Sequence, residues 1–543
     1  DYFAQDLERY RQVTPADVSR VAKTYLTDKK FVLTVTPKAE SKGKMSAPAG
    51  GTASIAEIQA AANAGKKKSD TPKTTDADRE KLGGLYVAPK PKADPKFALP
   101  KIERSKLSNG LEVLLVRETE LPLASMNLVI KTGATADDKG KAGIASLTAA
   151  LIDEGTKTRS ATDISNQVQS LGARLGTGAG WDNTSVSMQT LTKNFDQALD
   201  IFADVIVNPT FPASELESNR KRLLIALLQR KDNANIIANN AYNALLYGKN
   251  HPYGNTVIGD DVSVKSFAPE DVKKFYETYY RPNNAALIVV GNVESKDLMP
   301  KLEKAFANWK PSQVAQTTLP VAPSRDKQAV YIVDKPNAAQ SVITIGQIGV
   351  ARDNPDYFPL QVMNSILGGQ FISRVNLNLR EDKGYTYGAR SGFEYRKNAA
   401  PFSASAGVQT AVTKESVMEF MKELNGIRGA IPVTPKELEY NKQSLIRRYP
   451  AAFETTDQIA AQLSSLVVYG LPDTYFNDYL SKVNAVTISD VNRVANKYLE
   501  PSKMAIVIVG DKAVIEPKLK EIEGLEINYL DVDGQPIAAM TNK

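Results

Sequence analysis

Residues 143–156 read Gly-Ile-Ala-Ser-Leu-Thr-Ala-Ala-Leu-Ile-Asp-Glu-Gly-Thr. The segment predicts a helix over 143–153, on which Ser146 and Ala150 stand one turn apart with Ala149 beside them. A helical zinc site needs neutral imidazoles at that spacing and a carboxylate that takes a proton from bound water. Serine and alanine supply neither.

The composition narrows the remaining chemistry. With 543 residues the chain is long enough for three or four domains, and 42% hydrophobic against 24% charged residues is enough apolar material for ordinary cores. The net charge of +7 is modest, and much of the basic excess lies in one low-complexity stretch, so nucleic acid is not an expected partner. There is no cysteine, which excludes disulfides and thiol catalysis. His251 is the single histidine, and one imidazole cannot make a conventional catalytic zinc site. It sits in His-Pro-Tyr-Gly and reads as a turn residue after a helix. No apolar run reaches the length of a membrane span, and residues 1–6 show no signal-peptide pattern.

Internal repetition gives the architecture. Residues 2–30 and 475–503 align without a gap: Tyr2, Phe3, Leu7, Val13, Thr14, Asp17, Val18, Arg20, Val21, Ala22, Tyr25 and Leu26 recur 473 positions later. A weaker third copy spans 268–291, with Asp271, Val272, Phe275 and Tyr279 in register. Each copy has a Ser/Thr/Pro-rich start, an acidic first turn and helical apolar spacing, then an apolar strand at 31–35, 286–290 or 504–509. The unit is a closing helix and a closing strand. Val272 and Val491 lie 219 residues apart, about one domain. Residues 1–37 are therefore expected to be the C-terminal tail of a truncated upstream homologous domain.

Residues 38–104, rich in Ala, Lys, Pro, Gly and Thr, read as a flexible linker, with Lys66–Lys68 as a solvated charge run. Two complete domains follow, 105–312 and 328–527, with a Pro-rich connector at 313–327 and a tail at 528–543. In both, strands precede helices and a strand closes the unit. Expected strands are 110–116, 123–132, 184–191, 329–333 and 341–348; expected helices are 194–207, 215–232, 357–367 and 413–428. This order favours α+β: two homologous domains, each a largely antiparallel sheet with helices on one face.

The 143–156 frame resembles the active-site helix of the pitrilysin/insulinase family, the inverted-zincin metallopeptidases, whose pattern is roughly G-[LI]-A-H-x-x-E-H-x-x-x-x-G-T. Gly143, Ile144, Ala145, Gly155 and Thr156 match it. Ser146, Ala149 and Ala150 fall where that family has His, Glu and His. With Asp232 aligned to the family's downstream Asp, Ala226 takes the place of the third ligand, a Glu. The resemblance implies a chain that binds no metal, one half of a clamshell whose other half carries zinc. That half would be the upstream part of the same polypeptide or a separate subunit.

Residues 368–388, Gly-Gly-Gln-Phe-Ile-Ser-Arg-Val-Asn-Leu-Asn-Leu-Arg-Glu-Asp-Lys-Gly-Tyr-Thr-Tyr-Gly, are similar to the family's R-x6-Y segment. Ile372, Val375 and Leu379 predict one apolar helix face, Gly384 a C-terminal cap, and Tyr387 the start of the next strand. Spacing alone favours Arg380 as a surface ion pair with Glu381 or Asp382, and Tyr387 as a core residue. The resemblance instead implies that Arg380 and Tyr387 donate hydrogen bonds to a peptide carbonyl and its developing oxyanion at the other half's zinc. Trp181 and Tyr385 are candidates for chamber wall or core packing.

Three functions remain. The first is the metal-free half of a zinc metalloendopeptidase, inactive alone, that hydrolyses peptides with its zinc-bearing partner. The second is a catalytically silent scaffold subunit. The third is a peptide-binding module that uses strand addition. A periplasmic location is expected from the resemblance, the linker composition and the absence of cysteine, with the cytoplasm as the alternative.

Overall fold

Two strands of nearly unbroken apolar sequence, Ala285–Gly291 and Ala505–Gly510, are buried at every residue, so both faces of the sheets they belong to must be covered. The computed structural model describes residues 2–28, 96–315 and 317–537. It contains two six-stranded sheets built from β1 (Ile102–Lys106), β2 (Glu112–Arg117), β3 (Leu123–Ile130), β4 (Arg174–Ala179), β5 (Thr184–Leu191), β6 (Ala285–Gly291), β7 (Ala329–Asp334), β8 (Gln340–Ile348), β9 (Thr386–Phe393), β10 (Pro401–Gln409), β11 (Ala505–Gly510) and β12 (Ile527–Leu530). The orders are β1-β2-β6-β3-β5-β4 and β12-β7-β11-β8-β10-β9. Pairing is antiparallel except at β2–β6, β7–β11 and β7–β12. Five strands occupy equivalent places in the two sheets, as expected of homologous α+β domains.

Each domain covers one face of its sheet with its own helices. Leu128, Met126 and Leu287 face Leu147, Phe202 and Val272 in the first core; Ile343, Ile345 and Ile506 face Leu360, Phe420 and Val491 in the second. The opposite faces are covered reciprocally. The Thr456–Tyr469 helix of the second domain places Ile459, Leu463 and Leu466 on Val129, Ile288 and Val290 of the first sheet. The Ala234–Tyr247 helix of the first domain places Ile237, Ala241 and Tyr242 on Val342, Val507 and Val509 of the second. Polar contacts follow the same exchange: Asn127 Nδ2 donates to Ser464 Oγ at 2.9 Å, and Tyr242 Oη to the Phe402 carbonyl at 2.5 Å.

Two expected boundaries change. The linker expected through residue 104 is structured before that point: Leu99 is buried, Phe97 packs on Tyr449 and Phe453, and β1 pairs with β2 from Ile102. The tail expected from 528 instead contributes β12, which pairs in parallel with the exposed edge of β7. Residues 38–95, including Lys66–Lys68, lie outside the described residues, as does the strand expected at 31–35.

The closing helices are found in all three copies. Pro15–Tyr25, Pro269–Tyr279 and Ile488–Tyr498 each begin with an acidic residue at the third helical position, Asp17, Asp271 or Asp490, bonded back to the capping residue's amide.

Candidate functional site

The helix of the 143–156 frame spans Ile144–Leu151. Gly143 caps it at φ +95°, and a Cβ there would lie 2.6 Å from the Ile258 carbonyl carbon and oxygen, so only glycine fits. At the other end, Thr156 Oγ1 donates to Asp204 at 2.7 Å. Asp204 is buried, and burial alone would raise its pKa. Hydrogen bonds from Thr156, Asn208, Thr158 and Arg159 outweigh burial and hold it below the ordinary carboxylate value. The frame residues thus serve packing.

Ser146 is half-buried, Ala149 is fully buried and Ala150 is exposed. Ala226, also half-buried, lies on the Ala213–Arg230 helix, which packs against the 144–151 helix. The four positions therefore lie on two touching helices. They do not fit a zinc ion: one hydroxyl and three methyl groups offer no ligand set. No group of three or more His, Cys, Asp or Glu able to hold a metal occurs among the described residues. His251 is buried, packs at a tilt against the Tyr247 and Tyr253 rings, and accepts the Tyr253 amide at its Nδ1 at 3.0 Å. Burial lowers its pKa, so it is a packed neutral imidazole.

Arg380 and Tyr387 sit on two adjoining backbone irregularities. The short Arg374–Asn376 helix runs into a π-helical turn at Leu377–Asp382, an extra residue that places Arg380 toward solvent. Val375 and Leu379 are fully buried beneath it, while Ile372, expected on the same face, precedes the helix and is 40% exposed. Gly384 has φ +67° and ends the helix as expected, with its N–H bonded to the Arg380 carbonyl at 3.1 Å. The turn packs on β9. There Thr386 pairs with Val408 and Ala389 with Ala406, so Tyr387 and Gly388 oppose the single residue Gly407 in a β-bulge. The bulge turns Tyr387 outward: it is 89% exposed, so the core placement is excluded, and no partner for its hydroxyl occurs among the described residues.

Arg380 makes the ion pair expected from spacing, Nε to Glu381 Oε1 at 3.3 Å, and lies over the Phe371 ring at 4.5 Å. Phe371 is a residue that sequence reading passed over; the signal was an exposed aromatic within the quoted Gly-Gly-Gln-Phe. Two buried asparagines were also missed. Asn376 Oδ1 accepts the Ala389 amide at 2.9 Å, tying the helix to β9. Asn378 Nδ2 donates to Glu419 at 2.9 Å and Glu423 at 2.7 Å, tying the turn to the Thr413–Asn425 helix. Gly368 lets β9 approach closely: a Cβ there would meet the Ser391 amide nitrogen at 2.3 Å. The Ser391 amide bonds to the Gly368 carbonyl at 3.0 Å, so the outward amides of β9 at 389 and 391 are both taken. Peptide strand addition along that part of β9 is therefore blocked.

Trp181 and Tyr385 are half-buried. Trp181 packs edge-on to Tyr253 with the Arg396 guanidinium 4.6 Å from its ring centre.

Residues 112–261 match the family described as Insulinase (Peptidase family M16), and residues 266–445 match the Peptidase M16 inactive domain. The chain belongs to the M16 peptidase family. An uncharacterized zinc protease YmxG of Bacillus subtilis is 23% identical over 411 residues, 75% of this chain and 98% of that protein. A non-peptidase homolog YmxG of Helicobacter pylori is 23% identical over 403 residues, 72% of this chain and 90% of that protein. The solved M16 inactive domain of Pseudomonas fluorescens superposes with a TM-score of 0.70 at 28% identity, over 76% of this chain and 98% of that one. This M16 chain has a zinc-protease-like fold, and no group able to hold a metal occurs among its described residues.

Proposed function

We propose that this M16 chain is the metal-free half of a zinc metalloendopeptidase and lends hydrogen-bond donors to a zinc-bearing half. The observation that carries the reading is the pairing of two backbone irregularities: a π turn and a β-bulge in contact, each presenting a donor, Arg380 and Tyr387, to solvent. Such irregularities are common at functional sites because they re-aim side chains at a cost in regularity. Burial gives no reason for an unpartnered, 89% exposed tyrosine in a strand. In this reading the guanidinium and the phenol both donate to the carbonyl oxygen of the scissile peptide. Their bonds strengthen as negative charge develops on that oxygen. The Phe371 ring lies 4.5 Å from the guanidinium and Asn378 anchors the turn, so Arg380 is held in place.

The test is reconstitution. Alone, the chain should bind no stoichiometric zinc and cleave no peptide. Mixed with its zinc-bearing half it should restore cleavage. Arg380→Ala or Tyr387→Phe should lower kcat by about 100-fold, the scale of one lost oxyanion donor, about 3 kcal/mol. Equal turnover with wild type and both variants would refute the assignment. It would favour a scaffold role, which similarity to a protein named a non-peptidase homolog supports.

A further inference from the structure

Arg352 is buried without a carboxylate beside it. It lies in the 349–356 loop between β8 and the Tyr357–Leu367 helix, where its amide donates to the Arg396 carbonyl at 2.8 Å. The residue is 8% exposed. Its Nη2 donates to the Tyr475 hydroxyl at 2.5 Å, and its Cζ lies 3.8 Å from the Tyr357 ring centre and 4.9 Å from that of Tyr475. Nε and Nη1 have no protein partner among the described residues, and neither is sealed from solvent. Arg159, Arg374 and Arg396 are also largely buried, yet they hold carboxylates at 2.6, 2.8 and 2.5 Å. A buried charge normally has such a counterion, and tyrosine faces offset only part of its desolvation.

The guanidinium lines a cavity of about 480 Å³. That volume falls within the range of small-ligand sites, about 300–1,000 Å³. Tyr357, Phe358, Leu471 and Tyr475 form its apolar walls, and exposed Lys482 adds a second cation. Two carboxylates also line it. Asp490 is held by Thr487 and Arg493, and Asp353 is exposed. The 357–367 helix starts at this cavity without a side-chain cap, because Asp356 turns to Arg493 and Lys497 instead. The positive end of a helix favours an anion.

We propose that this cavity binds a carboxylate carrying an apolar group. The anion takes the free N–H groups of Arg352, and the apolar group packs on Phe358 and Leu471. A free organic acid and the C-terminal residue of a peptide share this chemistry. The site is independent of whether Arg380 and Tyr387 meet a substrate.

The test is calorimetric titration of the full chain with phenylacetate and with its neutral counterpart phenylacetamide. Phenylacetate should bind at one site, and phenylacetamide at least about tenfold more weakly, the scale of one hydrogen-bonded charge. Arg352→Met should abolish phenylacetate binding. Arg352→Lys keeps the charge and protects against a folding failure of the first variant; without the planar fork it should bind about tenfold more weakly. Tighter binding of the tripeptide Ala-Ala-Phe than of phenylacetate would mark a peptide C-terminus as the source, and the reverse order a free acid. Equal affinity for acid and amide, no binding of either at millimolar concentration, or wild-type affinity in Arg352→Lys would overturn the proposal. None of these readouts involves peptide cleavage, so failure here is distinguishable from failure of the catalytic assignment.

Discussion

Replacing Leu463 by alanine should destabilise the domain that does not contain it as well as its own. Leu463 is fully buried on the 456–469 helix, which belongs in sequence to the second domain but lies on Val129, Ile288 and Val290 of the first sheet. Truncation removes three carbons from a closed contact, about 2.4 kcal/mol at about 0.8 kcal/mol for each buried methylene, and an unfilled cavity brings the loss to about 3–5 kcal/mol. A loss of 3 kcal/mol lowers the folding equilibrium constant about 150-fold, since 1.4 kcal/mol is tenfold. The chain reports on itself, because both tryptophans, Trp181 and Trp309, lie in the first domain. In urea unfolding, Leu463→Ala should move the tryptophan emission transition and the far-ultraviolet circular dichroism transition together to lower denaturant. A tryptophan midpoint unchanged from wild type, with only the dichroism shifted, would show that the exchanged helix does not support the first sheet.

Gly143→Ala should cost about 3 kcal/mol or more in chemical denaturation, combining a left-handed φ with a 2.6 Å approach to Ile258. Gly140→Ala, at φ +77° with open space around it, should cost only about 1–2 kcal/mol; equal losses would refute the steric account. The Asp204 pKa lies below its unfolded value, so the stability it contributes is present above pH 3.8 and is lost as pH falls through the folded pKa. Asp204→Asn should therefore lose about 3 kcal/mol at pH 7, leaving Arg159 without its buried partner, and the gap to wild type should close below pH 3.8. A gap independent of pH would count against that argument. Tyr387→Phe should leave the melting temperature within error, because an 89% exposed hydroxyl contributes under about 0.5 kcal/mol; a clear drop would mean the phenol is structural.

Much of the fold was legible because its signals are local. Strict alternation placed β5 at Thr184–Leu191, and helical spacing placed Tyr357–Leu367, each with the bounds later observed. The repeated Thr-x-x-Asp start marked the closing helices through a capping interaction that four residues encode. What sequence did not reveal depends on partners far along the chain. Continuous burial of β6 and β11 demands cover on both faces, yet nothing in either strand says that the cover comes from the other domain. β12 was missed because Ile-Asn-Tyr-Leu is too short and polar to read as a strand until β7 offers an edge. The site was legible in its residues and not in its backbone: Arg380 and Tyr387 could be named, but a π turn and a bulge each insert one residue, which apolar periodicity cannot register.

The two halves of the family resemblance carry different weight once the packing is known. Gly143 is fixed by Ile258 and Thr156 by Asp204, so the frame is needed to hold the first core together whether or not a metal is bound between them. Persistence of that frame says nothing about catalysis. Arg380 and Tyr387 are under no such constraint. The bulge that exposes Tyr387 breaks the β9–β10 register, and the π turn under Arg380 needs two buried asparagines, Asn376 and Asn378, to hold it. A purely structural subunit would be better served by a regular strand and helix there. Straightening the bulge by deleting Gly388 then becomes a discriminating experiment. Removing one of the two residues opposite Gly407 should restore register and raise or preserve stability. Tyr387 would then stand opposite Gly407 on the outward face, displaced along β9 relative to the turn that carries Arg380, and cleavage in the reconstituted enzyme should fall. A deletion that keeps full turnover would remove the argument that the irregularity exists to present the phenol.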